Sequence, residues 1–151
     1  MSRFLLDTHV FLWAIAEPKR LSTKARNAIV KLENELFVSA ITAYELSYQH
    51  RQGKLPAGDA IVNSFGRQVS HLEATEIELS ATHCVTAGQL NWGHRGPFDR
   101  LLTAHAMIEG LTLVTDDEQL HAYEPWQLSG SRDDPRLPRT PPMAKGPDAR
   151  A

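Results

Sequence analysis

The chain has a single cysteine, Cys84, which excludes an internal disulfide framework and any multi-cysteine zinc site. No apolar run reaches the roughly 18–20 residues that a membrane span requires. Neither sign of charge dominates: 16 Lys and Arg stand against 18 Asp and Glu, a net −2. That balance argues against a polybasic arm or an acidic tail as the main device. Seven histidines are present, yet none stands in a His-Glu-x-x-His pattern. A Gly-x-Ser-x-Gly elbow and a phosphate-binding P-loop are also missing. Phe4-Leu5-Leu6 meets Asp7 too soon to form a signal-peptide core. Together these absences predict a soluble, cytoplasmic, globular protein.

What is present is one domain's worth of chain, 151 residues of which 42% are hydrophobic. The composition shifts at Ser129. Five prolines (Pro135, Pro138, Pro141, Pro142, Pro147) and almost no large apolar residues follow it. Such a segment buries too little to offset its ordering entropy. The expected organisation is a folded body over 1–128 and a Pro-rich flexible tail over 129–151. The tail carries five positive and three negative charges, the body 11 and 15. The body alone is therefore acidic by four charges, an excess that the whole-chain figure hides.

Short apolar runs alternate with helical patterns along the body. Phe4-Leu5-Leu6 and Leu36-Phe37-Val38 read as buried strands, His71-Leu72-Glu73-Ala74 as a weaker one. Leu111 to Thr115 is the clearest strand, and Trp126-Gln127-Leu128 is a last candidate. Helices are expected over Thr8 to Ala16, from the N-cap Ser22 through Leu32, and over Thr42 to Gln52. Others are expected over Asp59 to Val69, over Ile77, Ala81, Cys84 and Val85, and over Phe98 to Glu109, which Gly110 ends. This order predicts an α/β domain with a short, mostly parallel sheet flanked by helices. In such sheets ligands bind beyond the carboxyl ends of the strands.

That rule gathers acids. Asp7 follows the first strand, Ser39 the second, and Asp116 and Asp117 follow Thr115. Glu45 lies early in the helix after Ser39, and Asp99 opens the helix leading into the Leu111 strand. Singly, Asp7 also suits an N-cap, Glu45 a solvated helix position, Asp99 a helix N-terminus, and Asp116 and Asp117 a turn. Together they would repel one another without a cation. Oxygen donors with no Cys or His at ligand spacing suit Mg²⁺ or Mn²⁺.

The motifs that carry these acids resemble the PIN-domain ribonucleases, specifically the VapC-type toxins of type II toxin–antitoxin systems. They are Leu5-Leu6-Asp7-Thr8-His9 with Leu12-Trp13, and Val38-Ser39-Ala40-Ile41-Thr42-Ala43-Tyr44-Glu45-Leu46 with Gly53-Lys54-Leu55. Pro97-Phe98-Asp99-Arg100-Leu101-Leu102 and Leu113-Val114-Thr115-Asp116-Asp117 complete the set. The resemblance covers nearly the whole body and implies a PIN-like three-layer fold. It implies that Asp7, Glu45, Asp99 and Asp117 form the catalytic, metal-binding set, and it selects Asp117 over Asp116 for the last place. Thr8, Ser39, Thr115 and Asp116 fall on or beside supporting positions. The family commonly has an additional Asp before the proline of Pro-Phe-Asp-Arg, where this chain has Gly96.

The implied chemistry is hydrolysis of RNA phosphodiester bonds by a metal-activated water. Asp7, Asp99 and Asp117 are the principal ligand candidates, and Glu45 is a ligand or positions the water. Arg51, Lys54, Arg95 and Arg100 are candidates to guide the RNA backbone. Trp92 and His94 would stack on bases or pack in the loop. His9, His83 and His105 are expected to be packed or hydrogen-bonded, and Cys84 buried. The implied partners are an antitoxin lying over the acidic groove and a second copy of the chain. Other classes stay open, namely a Mg²⁺-dependent DNA nuclease or a catalytically silent binding module. An aspartyl-phosphate phosphatase is disfavoured, because Asp7-Thr8-His9 lacks the paired Asp-x-Asp.

Overall fold

The computed structural model describes residues 1–55, 58–93 and 96–115. Within them the chain runs β1 (Arg3–Leu6), α1 (Thr8–Ala16), a 3-10 turn (Pro18–Arg20), α2 (Thr23–Val30), β2 (Glu35–Ser39) and α3 (Ala40–Arg51). It continues through α4 (Gly58–Asn63), α5 (Phe65–His71), β3 (Ala74–Ile77), α6 (Ala81–Gln89), α7 (Pro97–Glu109) and β4 (Thr112–Val114). The strands form one sheet in the order β3-β2-β1-β4, and every neighbouring pair is parallel. This is the α/β architecture that the alternation of strands and helices predicts. No described helix is long and apolar enough to cross a membrane.

β1 shows why helices cover both faces of the sheet. Leu5 and Leu6 point to opposite sides, and both are fully buried. Leu6 packs with Leu36, Val38, Val10, Phe11 and Leu46 on one side. Leu5 packs with Leu102, Ala106, Leu111 and Leu113 on the other. A sheet buried on both faces needs continuous apolar strands, and these runs supply them.

The register fixes the functional edge. Leu6 pairs with Val38 on one side and with Val114 on the other. One residue further along, Asp7, Ser39 and Thr115 stand abreast at the carboxyl ends of three adjacent strands. The Asp7 N–H donates to the Val114 carbonyl at 3.0 Å and so extends the ladder to that edge. Several helix starts are then capped locally. Asp7 caps α1, Ser22 caps α2 and Ser39 caps α3 through their side-chain oxygens. Gly110 takes the left-handed conformation (φ 67°) that ends α7 and turns the chain into β4.

Three expectations need correction. The strand placed at His71 to Ala74 begins only at Ala74. The Leu72 N–H still bonds back to Gln68 and Val69, and Glu73 leaves the helix with φ 55°. Helical hydrogen bonds outweigh the alternating pattern there. Ile77 consequently ends β3 and is not part of the next helix. The helix expected over Asp59 to Val69 is two helices broken at Ser64, whose hydroxyl bonds back to the Ala60 carbonyl. Phe65 beyond the break packs on Phe11, with ring centroids 5.4 Å apart. Finally, Cys84 is exposed. The buried face of α6 is His83, Thr86 and Ala87, which turns Cys84 and Val85 outward. The strand candidate at Trp126 and the tail 129–151 lie outside the described residues.

Candidate active site

Asp7 is the centre of the carboxyl edge and is only 4% exposed. One carboxylate oxygen accepts the His9 N–H at 2.6 Å, and the other accepts the Thr115 hydroxyl. Burial nevertheless pushes its pKa above the usual aspartate value, against the lowering effect of those bonds and of His9. Asp99 adds to the rise by charge repulsion. Glu45, half-buried on α3, is raised in the same way: burial first, then repulsion from Asp7 and Asp99. A hydrogen bond from Thr8 and the charge of His9 oppose that rise. The fold thus brings Asp7, Glu45 and Asp99 within electrostatic reach of one another, from three separate elements.

The supporting positions knit these elements together. Thr8, buried at the start of α1, shares a hydrogen bond with Thr42 of α3 at 3.1 Å. The fully buried Ser39 hydroxyl accepts the Ile41 N–H at 3.1 Å and lies 2.9 Å from His105 Nδ1. Thr115 holds Asp7 from the end of β4. Asp116, Asp117, Arg95 and His94 lie outside the described residues.

Asp7 and Glu45 are oxygen donors whose pKa values are raised by burial and by neighbouring carboxylates. Only His9, with Nδ1 4.0 Å from Asp7, offers positive charge among the causes of those shifts. A hard divalent cation fits this donor chemistry. A second cluster does not suit a metal. His83, His105 and Glu109 bring ligand atoms within 4.8 Å of one another. The Ser80 N–H, however, donates to His83 Nδ1 at 2.8 Å. In the neutral ring Nε2 must then carry the proton, and it donates to Glu109 at 2.8 Å. The cluster is a hydrogen-bond network that links α6, α7 and the cap of α3.

His9, expected to be packed or hydrogen-bonded, meets Trp13 with ring centroids 5.9 Å apart while its side chain stays 57% exposed at the rim of the carboxylates. Its place beside Asp7 in the sequence was the available signal. His83 and His105 are buried and hydrogen-bonded, as expected. Burial pushes the His105 pKa down to about 4, and His83, 4.1 Å away ring to ring, adds to the drop. The neutral form is therefore favoured in the folded state. Its contribution to stability is complete above pH 6.5 and is lost as the pH falls from there towards 4. The full span corresponds to roughly 3 kcal/mol. Urea unfolding of the metal-free protein should show this acid-side loss, and His105→Gln should remove most of it. An unchanged pH slope in the variant would contradict the assignment.

Arg100, a candidate to guide RNA, donates through its guanidinium to four backbone carbonyls: Ala87 at 3.0 Å, Trp92 at 2.7 Å, Gly88 at 3.3 Å and Leu90 at 2.9 Å. It neutralises the carbonyl end of α6 and ties the following loop to α7. Trp92 is half-buried and packs against two hydrophobic clusters. Arg100→Ala should cost about 3 kcal/mol in chemical denaturation, since several charge-assisted bonds go at once. Normal stability with weakened RNA binding would instead support the guiding role. Arg51 and Lys54 are exposed at the far end of α3. Gly96 is the N-cap of α7 and offers no side-chain cap, so the usual family aspartate would have stood at a helix start.

Comparison with known proteins decides the family. The PIN-domain family model matches residues 4–124. The chain belongs to the PIN-domain family. It is 35% identical over 124 residues to Mycobacterium tuberculosis ribonuclease VapC22, covering 82% of this chain and 93% of that protein. It is 25% identical over 119 residues to the tRNA(fMet)-specific endonuclease VapC of Shigella flexneri, covering 78% and 88%. Among solved structures, the VapBC2 complex of Rickettsia felis bound to promoter DNA superposes with a TM-score of 0.59 at 23% identity. That match covers 79% of this chain and 91% of that chain. Mycobacterium tuberculosis VapC20, a sarcin–ricin loop cleaving toxin, gives 0.53 at 15% identity over 79% and 93%. Those two likenesses speak for the fold. The VapC-type resemblance read from the motifs therefore stands, and the carboxyl edge described above is the edge of a PIN domain.

Proposed function

We propose that this PIN domain is a Mg²⁺- or Mn²⁺-dependent endoribonuclease, the toxin of a type II toxin–antitoxin pair acting in the cytoplasm. The observation that carries the reading is the convergence of Asp7, Glu45 and Asp99 at one strand edge, where burial and mutual repulsion raise the pKa of Asp7 and Glu45. Asp117, two residues beyond Thr115, is proposed as the fourth carboxylate. A divalent ion held by these groups supplies the positive charge that draws phosphate to an acidic site and lowers the pKa of the attacking water.

The chain's own residues divide the remaining work. Asp7 is fixed by the His9 N–H and the Thr115 hydroxyl, so its free lone pairs are aimed without further ordering. Glu45 is less buried than Asp7, and its raised pKa suits it to orient a water and accept its proton. Asp99 sits in the first turn of α7 and completes the set from a third element. The proposed partners are RNA, a cognate antitoxin peptide over the carboxylates and a second copy of the chain. The relative named as tRNA(fMet)-specific makes tRNA the first substrate to try. The test is incubation of the purified chain with total RNA and with DNA, in Mg²⁺ or EDTA. RNA fragments that appear only with metal support the reading. Metal-independent cleavage, or cleavage of DNA alone, defeats it.

A further inference from the structure

The geometry points to a base-stacking platform beside the carboxylates, made by Phe98, Tyr44 and Tyr48, that holds the unpaired bases of single-stranded RNA near the scissile phosphate. This rests on the ribonuclease reading and adds to it the residues that recognise the strand. Tyr44 and Tyr48 are 57% and 47% exposed. The other exposed large hydrophobics among the described residues are Met1, Val30, Leu32, Val85 and Ile108, none of them aromatic. The two tyrosines lie one helical turn apart on α3, with ring centroids 6.1 Å apart and planes 23° from parallel. Tyr44 also meets Phe98 of α7 at 5.7 Å. Three rings thus form a continuous row.

The place of that row decides its occupant. Phe98 directly precedes Asp99, and Tyr44 directly precedes Glu45, so the row begins at the rim of the acidic site. It continues along α3 towards Arg51, which is three residues beyond Tyr48 and so on the same face. The exposed Lys54 follows. From Tyr44 to Arg51 the helix rises about 10 Å, room for two or three bases stacked at about 3.4 Å. Carboxylates, then rings, then cations match a nucleic acid strand: reacting phosphate, base faces, and the phosphates further along. Single strands are held by aromatic faces combined with cations. A surface selected only to bury a protein partner has no need of that order.

The test uses the full chain and a short, unstructured, fluorescein-labelled oligoribonucleotide. Anisotropy is read in EDTA, and cleavage is read separately in Mg²⁺. Tyr48→Leu should bind roughly 5- to 100-fold more weakly, the range found when one base–ring contact is lost. Tyr48→Phe should bind like the wild type, because the ring and not the hydroxyl is used. On an oligonucleotide carrying abasic sites, Tyr48→Leu and wild type should bind alike. In Mg²⁺ the leucine variant should raise KM with little change in kcat. Unchanged affinity of Tyr48→Leu, equal losses on the intact and abasic strands, or an effect confined to self-association by mass measurement would each overturn the platform. A wild type that binds RNA through Tyr48 but never cleaves it would defeat the ribonuclease reading and leave the platform standing.

Discussion

Asp7→Asn is expected to abolish RNA cleavage, by about 10³-fold or more, while raising the melting temperature of the metal-free protein. Both effects have one origin. Asp7 is nearly fully buried, and burial raises its pKa, so the folded state resists its ionisation. The linkage sign follows. A carboxyl that binds its proton more tightly when folded stabilises the protein at low pH and loses that contribution as the pH rises through the folded pKa. At neutral pH the buried charge is a net liability unless a cation compensates it. Asparagine is isosteric, is an equally good N-cap, and can meet both the His9 N–H and the Thr115 hydroxyl. The gain should be on the order of 1 kcal/mol, read as a shift of a few degrees in thermal melting. Activity should be lost because the charge proposed to hold the metal is gone. A variant that melts lower and is inactive would indicate a structural role alone, and an active variant would remove Asp7 from the site.

Metal should reverse the same liability in the wild type. Adding Mg²⁺ or Mn²⁺ is expected to raise the melting temperature, because a ligand that binds only the folded state stabilises it in proportion to the logarithm of its saturation. At 100 times the dissociation constant the gain is about 2.7 kcal/mol. Asp7→Asn and Asp99→Asn should each lose most of that gain, and with it the cleavage that EDTA removes from the wild type. The effect should also shrink as the pH falls, since protons compete with the metal for Asp7 and Glu45, whose pKa values are both raised. Differential scanning fluorimetry across a metal and pH grid checks all three trends. A metal response that survives Asp99→Asn intact would place the ion elsewhere.

Much of this site was legible because strands carry their register in their length. Leu5-Leu6 ending at Asp7, Val38 ending at Ser39 and Val114 ending at Thr115 already imply residues abreast at one edge, and the pairing of Leu6 with Val38 and Val114 puts them there. Local caps were legible too, since Ser22 and Gly110 act through chemistry that one residue contains. What the sequence hid depends on competition between elements. Glu73 adopts a left-handed conformation because α5 retains its hydrogen bonds to the end, which no composition signal marks. The buried face of α6 runs through the polar residues His83 and Thr86, and His83 is held by the helix's own N-cap Ser80 and by Glu109 of α7. Cys84 looked apolar and buried only because that stripe was read in the wrong phase. The structural bonds of Arg100 were hidden because its four carbonyl partners lie 8–13 residues earlier in the chain.

The chemistry of the RNA ends bears most directly on the central claim. Attack by a carboxylate-positioned water on phosphorus leaves the 2′-hydroxyl untouched, so no 2′,3′-cyclic phosphate forms. Mapping the ends of tRNA fragments made by the wild type in Mg²⁺ should therefore show a phosphate on one side of each cut, a free hydroxyl on the other, and no cyclic product. The same RNA should stay whole with Asp7→Asn or with EDTA. Cyclic phosphate ends, or fragments that persist in EDTA, would contradict the account.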